Sequence, residues 1–253
     1  MSRSRVVLVH GFTQTAASWP PAIVGSLEQA GHDVVAVDAP GHGSAADVRA
    51  DLVQGAAMLA EHGPAHFVGY SMGGRLALHV AVNHPTAVEK LVLVGATAGI
   101  DDPGERAARR AADDDLAASI ERDGVDAFLE RWLANPLFAT LPAEANAMES
   151  RRANTAAGLA ASLRLMGTGT QEPLWDALPR VTNDVLFLVG EVDQKFTALA
   201  HRMARAWGGR ASVDVIEGAG HAVHLERPDE VARRIVAFLD GAHDASNAPS
   251  TTP

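Results

Sequence analysis

His66-Phe67-Val68-Gly69-Tyr70-Ser71-Met72-Gly73-Gly74-Arg75 is the stretch on which the fold turns. Residues 66–68 read as a strand. A G-x-S-x-G pattern, Gly69 to Gly73, follows at once, and the spacing after it predicts a helix over residues 72–83. Glycines on both sides of a serine allow the backbone to reverse so sharply that the hydroxyl stands clear of the strand end. The helix N-terminus beneath it supplies free N–H groups and positive potential. Without the flanking strand and helix, the same five residues would be a glycine-rich turn with an incidental serine.

Outward from this turn, short apolar runs mark further strands at 6–9, 34–37, 91–94, 185–189 and 213–216. Each is nearly continuous in Val, Ile and Leu, as expected of strands buried on both faces of a parallel sheet. Helical patterns at 16–30, 47–61, 196–207 and 229–239 lie between or after them. This alternation predicts an α/β protein with a doubly wound, mostly parallel sheet. One interval breaks the rhythm: from Val94 to Val185 no run reads as a strand. The Ala-, Arg- and acid-rich part of it has helical spacing, and it predicts a helical cap over the carboxyl ends of the strands, where open α/β sheets bind ligands. The expected division is a core of residues 1–98 and 171–240, a cap of 99–170 and a small, polar, disordered tail of 241–253.

Three loops at predicted strand ends carry chemistry. His10-Gly11-Phe12 follows the first strand, where the Phe12 N–H pairs with the Met72 N–H as an oxyanion hole. His10 reads as structural. Gly190-Glu191-Val192-Asp193 follows the strand 185–189, and Asp193, with Glu191 as the alternative, is the acid that orients an imidazole. Gly220-His221 follows the last strand and supplies the base, with His224 as its rival. The order Ser71, Asp193, His221 is that of the α/β-hydrolase fold and differs from the orders in chymotrypsin and subtilisin.

The 253 residues carry a formal charge of −10 and contain no cysteine. Thiol nucleophiles, disulfides and Cys-ligated zinc are thereby excluded. An acidic surface disfavours nucleic acid and anionic lipid as partners. The apolar run 6–9 is too short for a signal-peptide core, and nothing approaches the ~20 apolar residues of a membrane span; a cytoplasmic protein is expected. His221-x-x-His224 and His62-x-x-x-His66 lack the glutamate of an H-E-x-x-H site and a third ligand, so no metal and no organic cofactor is expected. An acidic protein that handles a small anionic molecule needs a focused cationic pocket. Arg75, one helical turn after Ser71, suits bidentate carboxylate recognition. The composition is silent on oligomeric state.

Several segments resemble the 2-succinyl-6-hydroxy-2,4-cyclohexadiene-1-carboxylate synthase family, α/β-hydrolase-fold lyases of menaquinone biosynthesis. They are His10-Gly11-Phe12-Thr13, Asp38 to Gly43, Gly69 to Arg75, Glu105 to Arg110, Trp132 with Pro136-Leu137-Phe138, Arg151 to Leu159, Met166 to Gly169, Gly190 to Phe196 and Gly220 to His224. The likeness implies that Ser71 abstracts a ring proton, activated by His221 and Asp193. It implies that Phe12 and Met72 hold the oxyanion of a succinyl ketone, that Arg75, Arg109 and Arg151 bind carboxylates, and that Tyr70 and Trp132 line the pocket. Arg106, Arg110 and Arg152 read as solvated charges. The family's asparagine-rich stretch after the second cap arginine is reduced here to Asn154. A carboxylesterase or C–C bond hydrolase on the same triad is the alternative, and a non-catalytic ligand-binding module is a third reading.

Overall fold

The computed structural model describes residues 3–242. The expected disordered tail, 241–253, lies outside them except for its first two residues. In chain order the elements are β1 (Arg5–Val9), α1 (Pro21–Gln29), β2 (Asp33–Val37), α2 (Leu52–Ala60), β3 (Ala65–Tyr70), α3 (Met72–Asn83) and β4 (Val88–Val94), then α4 (Pro103–Asp123), α5 (Val125–Leu133), α6 (Met148–Arg152) and α7 (Ala156–Met166), and finally β5 (Asp184–Gly190), α8 (Gln194–Ala206), β6 (Ala211–Ile216), α9 (Val223–Glu226) and α10 (Pro228–Leu239). All six expected strands form. They make one sheet in the order β2-β1-β3-β4-β5-β6, and every neighbouring pair is parallel.

The sheet is covered on both faces, because its central strands have no polar face to offer water. Leu76, Leu78 and Val80 of α3, Leu59 of α2 and Met203 of α8 pack with Val7, Phe67, Leu91 and Phe187 on one side. Ile23 and Leu27 of α1 and Ile235 and Leu239 of α10 pack with Leu8, Val68, Val92 and Leu186 on the other. Strand β2 departs from the expected burial. It is an edge strand, and residues 34–37 are only partly covered.

Two helices are shorter than their apolar patterns. The expected helix 16–30 is split into a single 3-10 turn, Ala16–Ser18, and α1. Pro20-Pro21 divides them, since proline cannot accept a place inside a helix but is favoured at its first turn. The expected helix 47–61 begins only at Leu52. Asp51 caps it: its carboxylate accepts the Gln54 N–H at 2.8 Å, and the Gln54 side chain accepts the Asp51 N–H at 3.1 Å. This reciprocal capping box fixes the start. In the other direction, the expected helix 196–207 starts two residues early at Gln194, with Asp193 as its cap.

The interval 95–183 contains no strand, and α4 to α7 form the cap. Asp102 caps α4 by accepting the Glu105 N–H at 2.8 Å, and Gly124 at φ +81° lets α5 reverse over it. Ile120, Phe128, Leu129, Leu159 and Leu163 give the cap a small apolar core of its own. Phe12 packs against both this core and the sheet core, so the loop after β1 is where cap and sheet meet.

Candidate active site

Ser71 sits at the tip of the β3–α3 turn with φ +50° and ψ −106°. A non-glycine residue there is strained by about 1–3 kcal/mol. Close packing holds it in place. A Cβ on Gly69 would lie 2.4 Å from the Gly73 carbonyl oxygen, and one on Gly73 would lie 2.2 Å from that of Val9. Only glycine allows these approaches. The Ser71 N–H donates to the Val94 carbonyl at 2.8 Å, which ties the turn to the neighbouring strand end.

The β5 and β6 loops bring the remaining two groups to the serine. His221 Nε2 lies 3.3 Å from Ser71 Oγ, and its Nδ1 lies 2.7 Å from Asp193 Oδ2. With Nδ1–H donating to the carboxylate, Nε2 presents a lone pair to the hydroxyl. Both side chains are almost fully buried. Of the two acids expected at this loop, Asp193 makes this contact, while Glu191 is exposed and accepts the Gly218 N–H at 3.0 Å. His224 does not compete with His221. Its ring lies 4.0 Å from that of Tyr70, tilted by 42°, and burial drives its pKa far below the ordinary histidine value.

Phe12 and Met72 each direct a backbone N–H that has no protein acceptor among the described residues, and both line the cavity above Ser71. Phe12 lies in the loop after β1 and Met72 opens α3. His10 braces this loop, as expected. Its Nδ1 bonds to the Gly11 carbonyl at 2.8 Å and its Nε2 accepts the Ala39 N–H at 3.0 Å. Burial lowers its pKa to about 4.

The cavity measures ≈ 220 Å³ and includes every expected site residue except Asp193, which stands behind His221. Its walls carry four cations: Arg75, Arg109, Arg151 and Lys195. Arg75 is 7% exposed and donates to Gln171 Oε1 at 3.3 Å. Arg151 is 1% exposed, donates from Nε to the Asn146 carbonyl at 2.7 Å and reaches Thr13 Oγ1 through Nη1. Neither has a carboxylate in ion-pair range among the described residues, and burial pulls each pKa down to about 10. Arg109 differs: it is half exposed and paired with the buried Asp113 at 2.8 Å. The three arginines read as solvated stay out of the cavity. Arg152 pairs with Asp126, Arg106 with Glu172, and Arg110 bonds to the Gly169 carbonyl.

Trp132 stacks on Phe128 at 5.8 Å and meets Phe12 edge-on at 5.4 Å, and its buried indole N–H has no partner among the described residues. Burial raises the Tyr70 hydroxyl pKa well above that of a free tyrosine. Lys195, Phe196, Asn135 and Phe138 also line the site but were not singled out as binding residues. The sequence holds a signal for three of these: Lys195-Phe196 follows Asp193-Gln194, and both it and Phe138 belong to segments that carry the family resemblance. No comparable signal marked Asn135.

Among the described residues no group of three or more His, Asp or Glu side chains could hold a metal ion, and no helix is long and apolar enough to cross a membrane.

Residues 6–234 match the alpha/beta hydrolase family. A Bacillus subtilis (strain 168) protein, provisionally named a 2-succinyl-6-hydroxy-2,4-cyclohexadiene-1-carboxylate synthase, is 35% identical over 92% of this chain and 89% of its own. The 2-succinyl-6-hydroxy-2,4-cyclohexadiene-1-carboxylate synthase of Salmonella schwarzengrund (strain CVM19633) is 32% identical over 92% of this chain and 93% of its own. Among solved structures, MenH from S. aureus superposes with a TM-score of 0.88 at 28% identity, covering 96% of both chains.

Proposed function

This chain belongs to the alpha/beta hydrolase family and, within it, to the 2-succinyl-6-hydroxy-2,4-cyclohexadiene-1-carboxylate synthases, and we propose that it performs the reaction for which those relatives are named. It eliminates pyruvate from 2-succinyl-5-enolpyruvyl-6-hydroxy-3-cyclohexene-1-carboxylate in menaquinone biosynthesis. It acts in the cytoplasm on a small anionic substrate, without nucleic acid or a membrane as partner.

The observation that carries this reading is the pair of buried arginines, Arg75 and Arg151, that line the cavity above the triad with no carboxylate in ion-pair range among the described residues. A buried, uncompensated cation is costly. A polycarboxylate substrate supplies the missing charge, whereas a simple ester does not.

In this reading each group has a task. His221, oriented by Asp193, takes the Ser71 proton, and Ser71 Oγ takes the ring proton beside the succinyl ketone. The electron pair released moves onto the ketone oxygen, opposite the N–H groups of Phe12 and Met72. Its return through the ring double bond forms the diene and breaks the bond to the enolpyruvyl oxygen. The leaving enolate takes up a proton, and the imidazolium of His221 is the acid at hand.

Replacing Arg75 with Ala tests this reading. We expect kcat/KM for pyruvate release to fall at least ~10-fold, since charge-assisted hydrogen bonds contribute roughly 1.5–3 kcal/mol each. Cleavage of a neutral p-nitrophenyl ester should change little. Arg109→Ala should follow the same pattern. Equal losses on both substrates, or none on either, would contradict a carboxylate-binding role.

A further inference from the structure

Thr13 stands next to the oxyanion donor Phe12, is fully buried, and has φ +69°. It occupies the third place of a turn closed by the Gln14 N–H on the Gly11 carbonyl at 3.1 Å. A positive φ at that place ordinarily calls for glycine, and a β-branched residue is among the least suited to it. Threonine there brings a hydroxyl that glycine lacks.

Each polar group of Thr13 is held by a different residue. Its N–H donates to His42 Nε2 at 3.3 Å. His42 Nδ1 lies 3.0 Å from the Pro40 carbonyl, so Nδ1 carries the proton and Nε2 is free to accept. The Thr13 carbonyl accepts from Asn154 Nδ2 at 2.7 Å, and its hydroxyl accepts from Arg151 Nη1. Asn154 in turn bonds to the Arg151 carbonyl at 3.0 Å and accepts the Gly43 N–H at 2.9 Å. Two cap residues thus grip the residue that follows the oxyanion donor, and one of them, Arg151, also lines the cavity.

We infer that Thr13 is a positioning residue that couples Arg151 to the oxyanion turn: the contact aims the guanidinium into the cavity and fixes the Phe12 N–H above Ser71. Seating the cap arginine and assembling the oxyanion hole are then one event. Asn154 completes the clamp from the same side. The inference rests on the proposed role of Arg151 as a substrate-binding residue.

Three substitutions at Thr13 test it. Thr13→Gly removes the hydroxyl and suits the positive φ, so the protein should fold with a melting temperature near that of the parent. We expect kcat for pyruvate release to fall at least ~10-fold with KM also raised, as expected for loss of a hydrogen bond to a charged group. Thr13→Ser keeps the hydroxyl and should restore both constants to within ~3-fold of the parent. Thr13→Val keeps the shape without the hydroxyl and should behave like Thr13→Gly. In a double-mutant cycle, Thr13→Gly should add little to the loss from Arg151→Ala, because both break one contact. A merely structural Thr13 gives the opposite: parental kinetics in Thr13→Gly, or losses that add in the double variant, and either result overturns the inference. If the parent releases no pyruvate, the lyase reading has failed. The same variants are then read on p-nitrophenyl ester cleavage, which uses the same oxyanion turn. An unchanged kcat for Thr13→Gly there rejects the coupling independently.

Discussion

Glu226 shows how far the triad depends on residues that never touch a substrate. Its buried carboxylate accepts the Gly220 N–H at 2.8 Å and the Ala222 N–H at 3.2 Å, the two peptide groups that flank His221. The loop is held from both sides of the base, and the imidazole inherits that order. Glu226→Ala leaves two buried N–H groups without a partner, a loss of roughly 1–3 kcal/mol each. We expect it to lower the melting temperature by several degrees and kcat at least ~10-fold, with KM nearly unchanged, because the damage falls on the base and not on the cation pocket. Glu226→Gln retains one acceptor and should recover part of kcat. A kcat unchanged in Glu226→Ala, measured by pyruvate release, would show that the loop keeps His221 in place without it.

At the scale of elements, the core was legible because its signals are strong. Six apolar runs of three to five residues read as strands buried on both faces, and a parallel sheet buries the central ones in that way, with β2 at the edge only partly covered. The elbow was legible to the residue, and α3 forms over Met72–Asn83 as expected. Helix starts were less so, because local polar chemistry overrides the apolar period. The Asp51 box delays α2, and the Asp193 cap advances α8. Asp193 therefore serves two purposes, as helix cap and as partner of His221, which explains why the acid lies at this place and not at Glu191. The cap was legible as helical but not in its contacts. Which arginine turns inward is decided by packing between segments remote in sequence. Arg151 is buried against the β1 loop, whereas its neighbour Arg152 pairs with Asp126 in solvent. Period and composition treat those two residues alike. The Thr13 clamp was invisible for the same reason, since it joins residues 138 to 141 positions apart.

At the scale of the whole molecule, burial of histidine sets the response to acid. Burial lowers the pKa of His10, His66 and His79 to about 4 and that of His42 to about 3, from an ordinary 6.5. The unfolded chain takes up protons on these rings below pH 6.5, while the folded protein resists until pH 3 to 4. In that window the unfolded state binds more protons, so stability rises with pH. The melting temperature should therefore fall steadily as the pH is lowered from 6.5 toward 4, with these four groups contributing little change above 7. A melting temperature that is flat across the window would show that these rings are not held neutral.

Charge is distributed unevenly at this scale. A chain of net charge −10 gathers Arg75, Arg109, Arg151 and Lys195 around one nucleophile. Such focusing draws a polyanion toward the nucleophile. The most direct test is pyruvate release from enzymatically generated 2-succinyl-5-enolpyruvyl-6-hydroxy-3-cyclohexene-1-carboxylate, run beside a p-nitrophenyl ester with Ser71→Ala as control. The account predicts rapid pyruvate release that is abolished in Ser71→Ala and slow or no ester cleavage. Ester cleavage without pyruvate release above background would contradict it and make the protein a hydrolase built on the same triad.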